Sequence, residues 1–144
     1  MNDIKNKDLY KGFKNEDKVF EYLKNNKYPK IKKSKRQYAI FDFKVKKLKI
    51  EVKSRNCFSN SYETTMVGFN KIRHLEKYDY KGEFYFLFED GLYCWEYNSA
   101  EYHTRLGGRT DRGSREIKEY AYIKKEYLKL ITGDITSSVC LIDF

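Results

Sequence analysis

Three charged residues, Asp42, Glu51 and Lys53, have side chains that can hold a divalent cation and activate a water molecule. Two carboxylates supply hard oxygen ligands. A main-chain carbonyl, for which Val52 is the candidate, and several waters would complete the octahedral shell that Mg²⁺ prefers. An ammonium beside them can orient or help deprotonate the attacking water and offset charge that develops on a phosphate. The three residues therefore predict metal-assisted hydrolysis.

A β-hairpin over residues 38–54 must position this trio, because polar and apolar residues alternate on both sides of Lys46-Lys47. The turn lacks the Gly or Asn of tight hairpins, so we expect a longer or bulged loop. A register centred on Lys46-Lys47 pairs Phe43 with Ile50 and brings the apolar faces of the two strands together, with Phe41 on the same face as Phe43.

The same register sets Asp42 opposite Glu51, with Cβ atoms about 4.5–5.5 Å apart, and like charges there are destabilising unless something neutralises them. Lys53 lies two residues beyond Glu51 and therefore on the same strand face. The alternative is that Glu51 and Lys53 form the solvated face of a strand in a chain rich in both residue types. Asp42 favours the catalytic interpretation, since Asp is depleted in strands.

Glu16 lies near the middle of the apolar stripe of a predicted first helix, between Phe13 and Val19 in the sequence. A carboxylate on a core-facing stripe needs a cation or a hydrogen-bond donor, and a metal centre would provide one. The alternative is that Glu16 belongs to a frayed first turn, where the helix dipole favours it.

The order of the predicted elements indicates an α/β or α+β fold with one mixed sheet flanked by helices. The chain of 144 residues suits a single domain over 1–144. The elements are a helix over 12–25, a connection with a short strand before residue 37, the hairpin, a helix over 65–78, strands over 83–89 and 91–97 joined at Asp90-Gly91, a mobile loop over 102–116, a strand over 117–123 and a closing helix over 124–133.

Thirty Lys and Arg against 21 Asp and Glu leave a net charge of +9, which favours a polyanionic partner such as nucleic acid or an anionic membrane surface. Lys-rich composition is also expected of an AT-rich coding sequence, so charge alone does not decide. Three cysteines without a CxxC pair indicate neither a disulfide framework nor a zinc cluster. With no apolar signal core and no long apolar run, we expect a cytoplasmic protein without membrane contact.

Several basic residues and one aromatic residue are candidate contacts to nucleic acid. They come from the basic run before the hairpin, the segment after Lys53, the second helix and the glycine-rich loop, where Arg suits bidentate phosphate contacts. Ordinary solvated or structural roles are the alternative for each. The candidates are Lys33, Lys35, Arg36, Arg55, Tyr62, Lys71, Arg109 and Arg112.

The gap of eight residues between Asp42 and Glu51-Val52-Lys53 resembles the PD-(D/E)xK nuclease superfamily. Ile40-Phe41-Asp42 stands where the motif's name has Pro-Asp, and that proline is often absent. The helix with Gly12 and Glu16 looks like the Gly-x-x-x-Glu helix of archaeal Holliday-junction resolvases. Residues 51–55 and 62–65, followed by a helix, are similar to small phage and large-virus nucleases of this superfamily.

The resemblance implies a restriction-endonuclease-like mixed β-sheet flanked by helices, of order αβββαβ with an extra C-terminal strand and helix. It implies Mg²⁺ or Mn²⁺ dependence and hydrolysis of DNA phosphodiester bonds. Asp42 and Glu51 would bind the metal, Lys53 would assist the water, and Glu16 would complete or support the metal shell.

The leading hypothesis is a metal-dependent DNA endonuclease, such as a Holliday-junction resolvase or another structure-selective phage or viral nuclease. Because one site cuts one strand, action on a duplex or a junction would favour a homodimer. The first rival is a non-catalytic nucleic-acid-binding protein on a nuclease-like fold. The second is a viral accessory protein that binds another protein and neither binds nor cuts DNA.

Overall fold

The computed structural model describes residues 2–35, 39–107 and 118–135, with side chains from Lys14 onward. The described residues form two α-helices, nine strands and one 3₁₀ turn. They are α1 Asn2–Asn26, β1 Lys32–Lys33, β2 Phe43–Val45, β3 Leu48–Ser54, β4 Thr64–Gly68, α2 Phe69–Tyr78, β5 Lys81–Phe88, β6 Gly91–Glu96, β7 Tyr102–Gly107, β8 Lys118–Lys124, the 3₁₀ turn Lys125–Tyr127 and β9 Lys129–Thr132.

Two sheets organise the chain. The larger one has six strands in the order β1, β2, β3, β5, β6 and β9, and the smaller one has the order β4, β8 and β7. β3 and β5 pair in parallel, whereas the neighbouring pairs are antiparallel. The predicted mixed α/β architecture is confirmed, although it contains two sheets and not one. Neither helix of the described residues is long and apolar enough to cross a membrane.

Hydrophobic cores form on both faces of the larger sheet. On one face, Val19 and Leu23 of α1 pack with Ile50 of β3 and Tyr85 of β5. On the other, Phe84 of β5 packs with residues of α2 and of the smaller sheet. Because successive strand side chains point to opposite faces, β5 contributes to both cores and is buried along most of its length. The sheet is therefore a central layer between α1 and α2.

The register predicted for the first hairpin is confirmed, with Phe43 opposite Ile50 and Val45 opposite Leu48. The prediction of a longer or bulged loop is wrong, because β2 and β3 are joined by a two-residue turn in which Lys46 adopts a φ of 53°. A non-glycine residue reaches this left-handed region at some steric cost, which the paired strands offset.

Phe41 and Phe43 do not share a face as predicted. Phe43 lies in the core beneath α1, while Phe41 lies in the opposite core, where its ring centroid is 6.2 Å from that of Phe84. The chain bends just before β2, so strand alternation does not extend to residues 39–42. The two rings are buried in different cores, and this packing overrides the strand alternation predicted from the sequence.

Three further predictions need correction. The helix expected over 65–78 begins as β4 and becomes helical only at Phe69, since β4 pairs with β8. The loop expected over 102–116 begins as β7, which also pairs with β8; its residues 108–116 lie outside the described residues. The closing helix over 124–133 is a 3₁₀ turn followed by β9, an edge strand of the larger sheet. In each case strand pairing overrides local spacing.

Gly82 of β5 lies directly against Leu75 of α2. A Cβ added there would lie 2.4 Å from Cδ1 of Leu75, whose side chain is fully packed in the core. We expect Gly82→Ala to lower the free energy of unfolding by about 1–3 kcal/mol, because overpacking forces neighbouring side chains to shift. Urea denaturation measures the loss. Gly133→Ala, with no atom within 4 Å of the added Cβ, is the control, and equal stabilities would contradict the prediction.

Candidate active site

Asp42 and Glu51 lie side by side where β2 and β3 meet. Glu51 belongs to β3 and is only 2% exposed. Asp42 lies just before β2, and its Oδ2 accepts a hydrogen bond of 2.8 Å from the main-chain N–H of Val52. This bond fixes one carboxylate oxygen against β3 and brings the Asp42 carboxyl within hydrogen-bonding reach of Glu51. The hairpin therefore enforces a close carboxyl pair.

The pKa of Glu51 is raised from 4.5 to about 7, first by burial and next by the hydrogen bond to Asp42 and the negative charge of Asp42. The charges of Lys53 and Lys71 lower the pKa but do not offset these effects. Without an added cation, Glu51 is therefore half-protonated near neutral pH.

Two lysines approach Glu51 Oε2. Lys71 Nζ of α2 lies 2.8 Å away and also donates a hydrogen bond to the carbonyl of Ile40, and Lys53 Nζ lies 3.6 Å away. The contact with Lys71 is an ion pair that lacks hydrogen-bond geometry. Glu51 Oε2 is buried, and it therefore has no hydrogen-bond partner among residues 14–35, 39–107 and 118–135. The Lys53 side chain is 39% exposed and the Lys71 side chain 17%. Of the two lysines, Lys53 is therefore the one whose ammonium group is accessible to solvent.

This arrangement fits a divalent cation with few protein ligands. Glu51 offers a buried oxygen that no hydrogen-bond donor of the described residues reaches, and Asp42 retains one oxygen that the Val52 N–H does not bind. Since the N–H and C=O of one strand residue point the same way, the Val52 carbonyl faces the Asp42 side as well. One or two carboxylates with waters are the usual protein share of a Mg²⁺ shell. In the described chain no three His, Cys, Asp or Glu side chains form a ligand group.

Glu16 of α1 is near this pair. Its pKa is raised, first by partial burial and next by the negative charge of Asp42, while Lys33 and Lys53 act in the opposite direction. The neighbouring Asn15 donates a 3.2 Å hydrogen bond to Ser54 Oγ at the end of β3, which ties α1 to the strand that carries the trio. Direct ligation of a metal by Glu16 stays a prediction.

The candidate nucleic-acid contacts are spread over several surfaces. Lys33 is exposed and pairs with Asp17 at 2.5 Å, Lys71 contacts Glu51 as described, and Arg55 and Tyr62 line one cleft beyond β3. Their contacts to nucleic acid stay predictions. Arg36, Arg109 and Arg112 lie outside the described residues.

A basic groove of about 570 Å³ lies on the same side of the hairpin and was not predicted from the sequence. Lys35 lines it together with Lys44 and Lys49, which face each other across β2 and β3. The hairpin register gives this pairing, so the sequence contained the signal. Like charges opposite one another indicate an anionic partner or a solvated groove.

We expect Lys71→Met to raise the pKa of Glu51 above about 7, because the ammonium of Lys71 lowers it. Carboxyl-detected NMR titration of the metal-free protein measures this pKa. Lys77→Met, at an exposed position in the last turn of the same helix, should leave it unchanged. An unaltered pKa in Lys71→Met would contradict the ion pair.

The mixed sheet, the paired carboxyls and the neighbouring lysine define the class as PD-(D/E)xK nuclease-like. A family model described as "Phage putative PDDEXK endonuclease" matches residues 12–125. The chain therefore belongs to this phage nuclease family, and the match includes the whole candidate site. Comparisons with curated proteins and with solved structures give no match.

Proposed function

We propose that this protein is a divalent-metal-dependent DNA endonuclease in which Asp42 and Glu51 hold Mg²⁺ or Mn²⁺. The observation that carries the proposal is the buried Glu51 carboxyl, held against Asp42, whose Oε2 accepts no hydrogen bond from the described part of the chain. Burial of two adjacent carboxyls is costly, and the ammonium groups of Lys53 and Lys71 do not return the pKa of Glu51 to its usual range. A divalent cation would neutralise the pair more fully. Membership in a family described as endonucleases supports the same reading.

When bound, the cation would lower the pKa of a ligated water and neutralise the two carboxylates. The chain's own residues then have distinct tasks. The Val52 N–H orients Asp42, and β3 holds Glu51 with little freedom. Lys53, the exposed ammonium beside the pair, can donate to a phosphate oxygen and to the attacking water as charge develops on the phosphate.

The basic groove would bind the DNA backbone next to the site. Lys49 precedes Glu51 by two residues on the same face of β3, so the groove leads toward the carboxyl pair. Phosphate contacts of this kind position the nucleic acid without reading sequence. The net charge of +9 supports a salt-dependent interaction with DNA.

The finer proposal is a structure-selective nuclease such as a Holliday-junction resolvase, acting as a homodimer. Two coordinated cuts need two sites, and a two-fold axis would relate them. Sedimentation of the protein with and without a four-way junction tests the proposed homodimer. A protein that binds the junction as a monomer would contradict it.

Cleavage of labelled linear, nicked, single-stranded, flapped and four-way-junction DNA tests the function. We expect cutting with Mg²⁺ or Mn²⁺, none with EDTA, and loss in Asp42→Asn. Asp79→Asn is the matched control, because Asp79 lies in an exposed left-handed helix cap that Asn also tolerates. Salt-sensitive binding without any cutting would favour the non-catalytic rival.

A further inference from the structure

A second cleft, of about 420 Å³, opens beyond the end of β3 between the loop that follows it and the start of β4. We propose that this cleft binds an unpaired nucleobase of the DNA strand, one position along from the phosphate at the Asp42–Glu51 pair. The inference rests on the proposed function and names its substrate class, DNA with an unpaired nucleotide at the cut. The cleft volume lies within the range of about 300–1,000 Å³ that is usual for ligand sites.

The cleft has an apolar floor and an aromatic rim. Phe88 lies at its base and is 7% exposed, whereas Phe58 and Tyr62 on the rim are 57% and 69% exposed. Met66 adds a flexible apolar wall at 39% exposure. Aromatic rings with so much surface in water contribute little buried area to the fold. They are suited to stacking on a nucleobase, whose faces are apolar.

The rest of the lining supplies polar groups and positive charge. Thr64 and Thr65 contribute hydroxyls, which can pair with the edges of a base. Arg55 donates a 2.8 Å hydrogen bond to the Met66 carbonyl, and this bond holds its guanidinium at the wall. Lys125 pairs with the exposed Glu63 at 3.5 Å, a surface ion pair of small net value that a phosphate can displace. Charge complementarity therefore favours a nucleotide over a neutral apolar ligand.

The position of Arg55 connects the cleft to the carboxyl pair. Its main-chain N–H donates to the Leu87 carbonyl, so the extended pairing of β3 with β5 continues past Ser54. Arg55 thus points to the same face as Lys53, about 6.6 Å further along at about 3.3 Å per residue. A single strand with its phosphate at Lys53 would place the neighbouring base at the cleft.

Fluorescence anisotropy of the full chain in EDTA, where no cutting occurs, tests the cleft. The probes are a labelled short oligothymidylate and an abasic strand of the same length and charge. We expect the wild type to bind the oligothymidylate about tenfold more tightly than the abasic strand. Tyr62→Ala should lose this preference, and Tyr62→Phe, which keeps the ring, should retain it. Tyr78→Ala, an exposed tyrosine away from the cleft, is the matched control.

Equal binding of both strands by the wild type, or an unchanged preference in Tyr62→Ala, would overturn the inference. Because binding is measured without cleavage, the two proposals can fail separately. A base preference that depends on Tyr62 in a protein that cuts no DNA would support the cleft and reject the nuclease. Metal-dependent cutting by a protein that shows no such preference would support the nuclease and reject base binding in the cleft.

Discussion

Glu51→Gln should lower DNA cleavage more than about a hundredfold and at the same time make the metal-free protein more stable at pH 8. The loss of activity follows from the removal of a metal ligand, since even outer partners of metal sites contribute about 10–100-fold. The gain in stability follows from the buried charge that the wild type must carry at this pH.

The sign of the stability change follows from the pKa of Glu51, which rises from 4.5 in the unfolded chain to about 7 in the fold. A raised pKa means that the stabilising contribution of the protonated form is complete below pH 4.5 and is lost as pH rises through 7. The step corresponds to an upper limit of about 3 kcal/mol. Gln stays neutral throughout, so we expect Glu51→Gln to exceed the wild type by about 1–3 kcal/mol at pH 8.

Urea denaturation in EDTA at pH 8 and at pH 4.5 measures this difference, which should shrink toward the lower pH. Added Mn²⁺ should stabilise the wild type at pH 8 but not Glu51→Gln, because ligand binding to the folded state alone raises stability. Glu21→Gln, an exposed carboxylate on α1, is the control. A variant that is less stable than the wild type at pH 8 would show that the Glu51 charge is well compensated.

Lys53→Met should lower the rate constant of cleavage about 10²–10³-fold while leaving metal binding intact. Its ammonium lies 3.6 Å from Glu51 Oε2 and is the more exposed of the two lysines at the pair. Removal of one group that stabilises developing charge commonly costs this much. Single-turnover cleavage with saturating protein separates the chemical step from DNA binding.

Lys24→Met, in the last turn of α1, is the matched control and should cut DNA as the wild type does. Weaker DNA binding in Lys53→Met with an unchanged single-turnover rate would assign Lys53 to substrate binding alone. Full cleavage activity in Lys53→Met would show that Lys53 has no role in the reaction.

The geometry of the hairpin was predictable because two requirements agree there. Pairing Phe43 with Ile50 buries both residues. It also places Asp42, the residue before β2, beside β3, where the Val52 N–H holds its carboxylate near Glu51. A slip by one residue would have turned each side chain to the opposite face. Membership in a nuclease family confirms the class that Asp42, Glu51 and Lys53 indicated.

Features that depend on distant partners were not predictable in this way. The segment at Met66 has helical spacing in the sequence, but it pairs as a strand with Tyr122. Lys71 looked like a surface lysine of a helix, yet the packing of α2 on the sheet directs it to Glu51. The cleft beside Tyr62 combines a loop, two strands and the 3₁₀ turn, which no local pattern brings together.

Mn²⁺ binding measured by electron paramagnetic resonance tests the central claim, that Asp42 and Glu51 together hold the cation. We predict that the wild type binds Mn²⁺ at pH 8 and that Asp42→Asn and Glu51→Gln lose this binding. Lys53→Met and Asp79→Asn should keep it. Equal Mn²⁺ binding by the wild type and Asp42→Asn would contradict the claim.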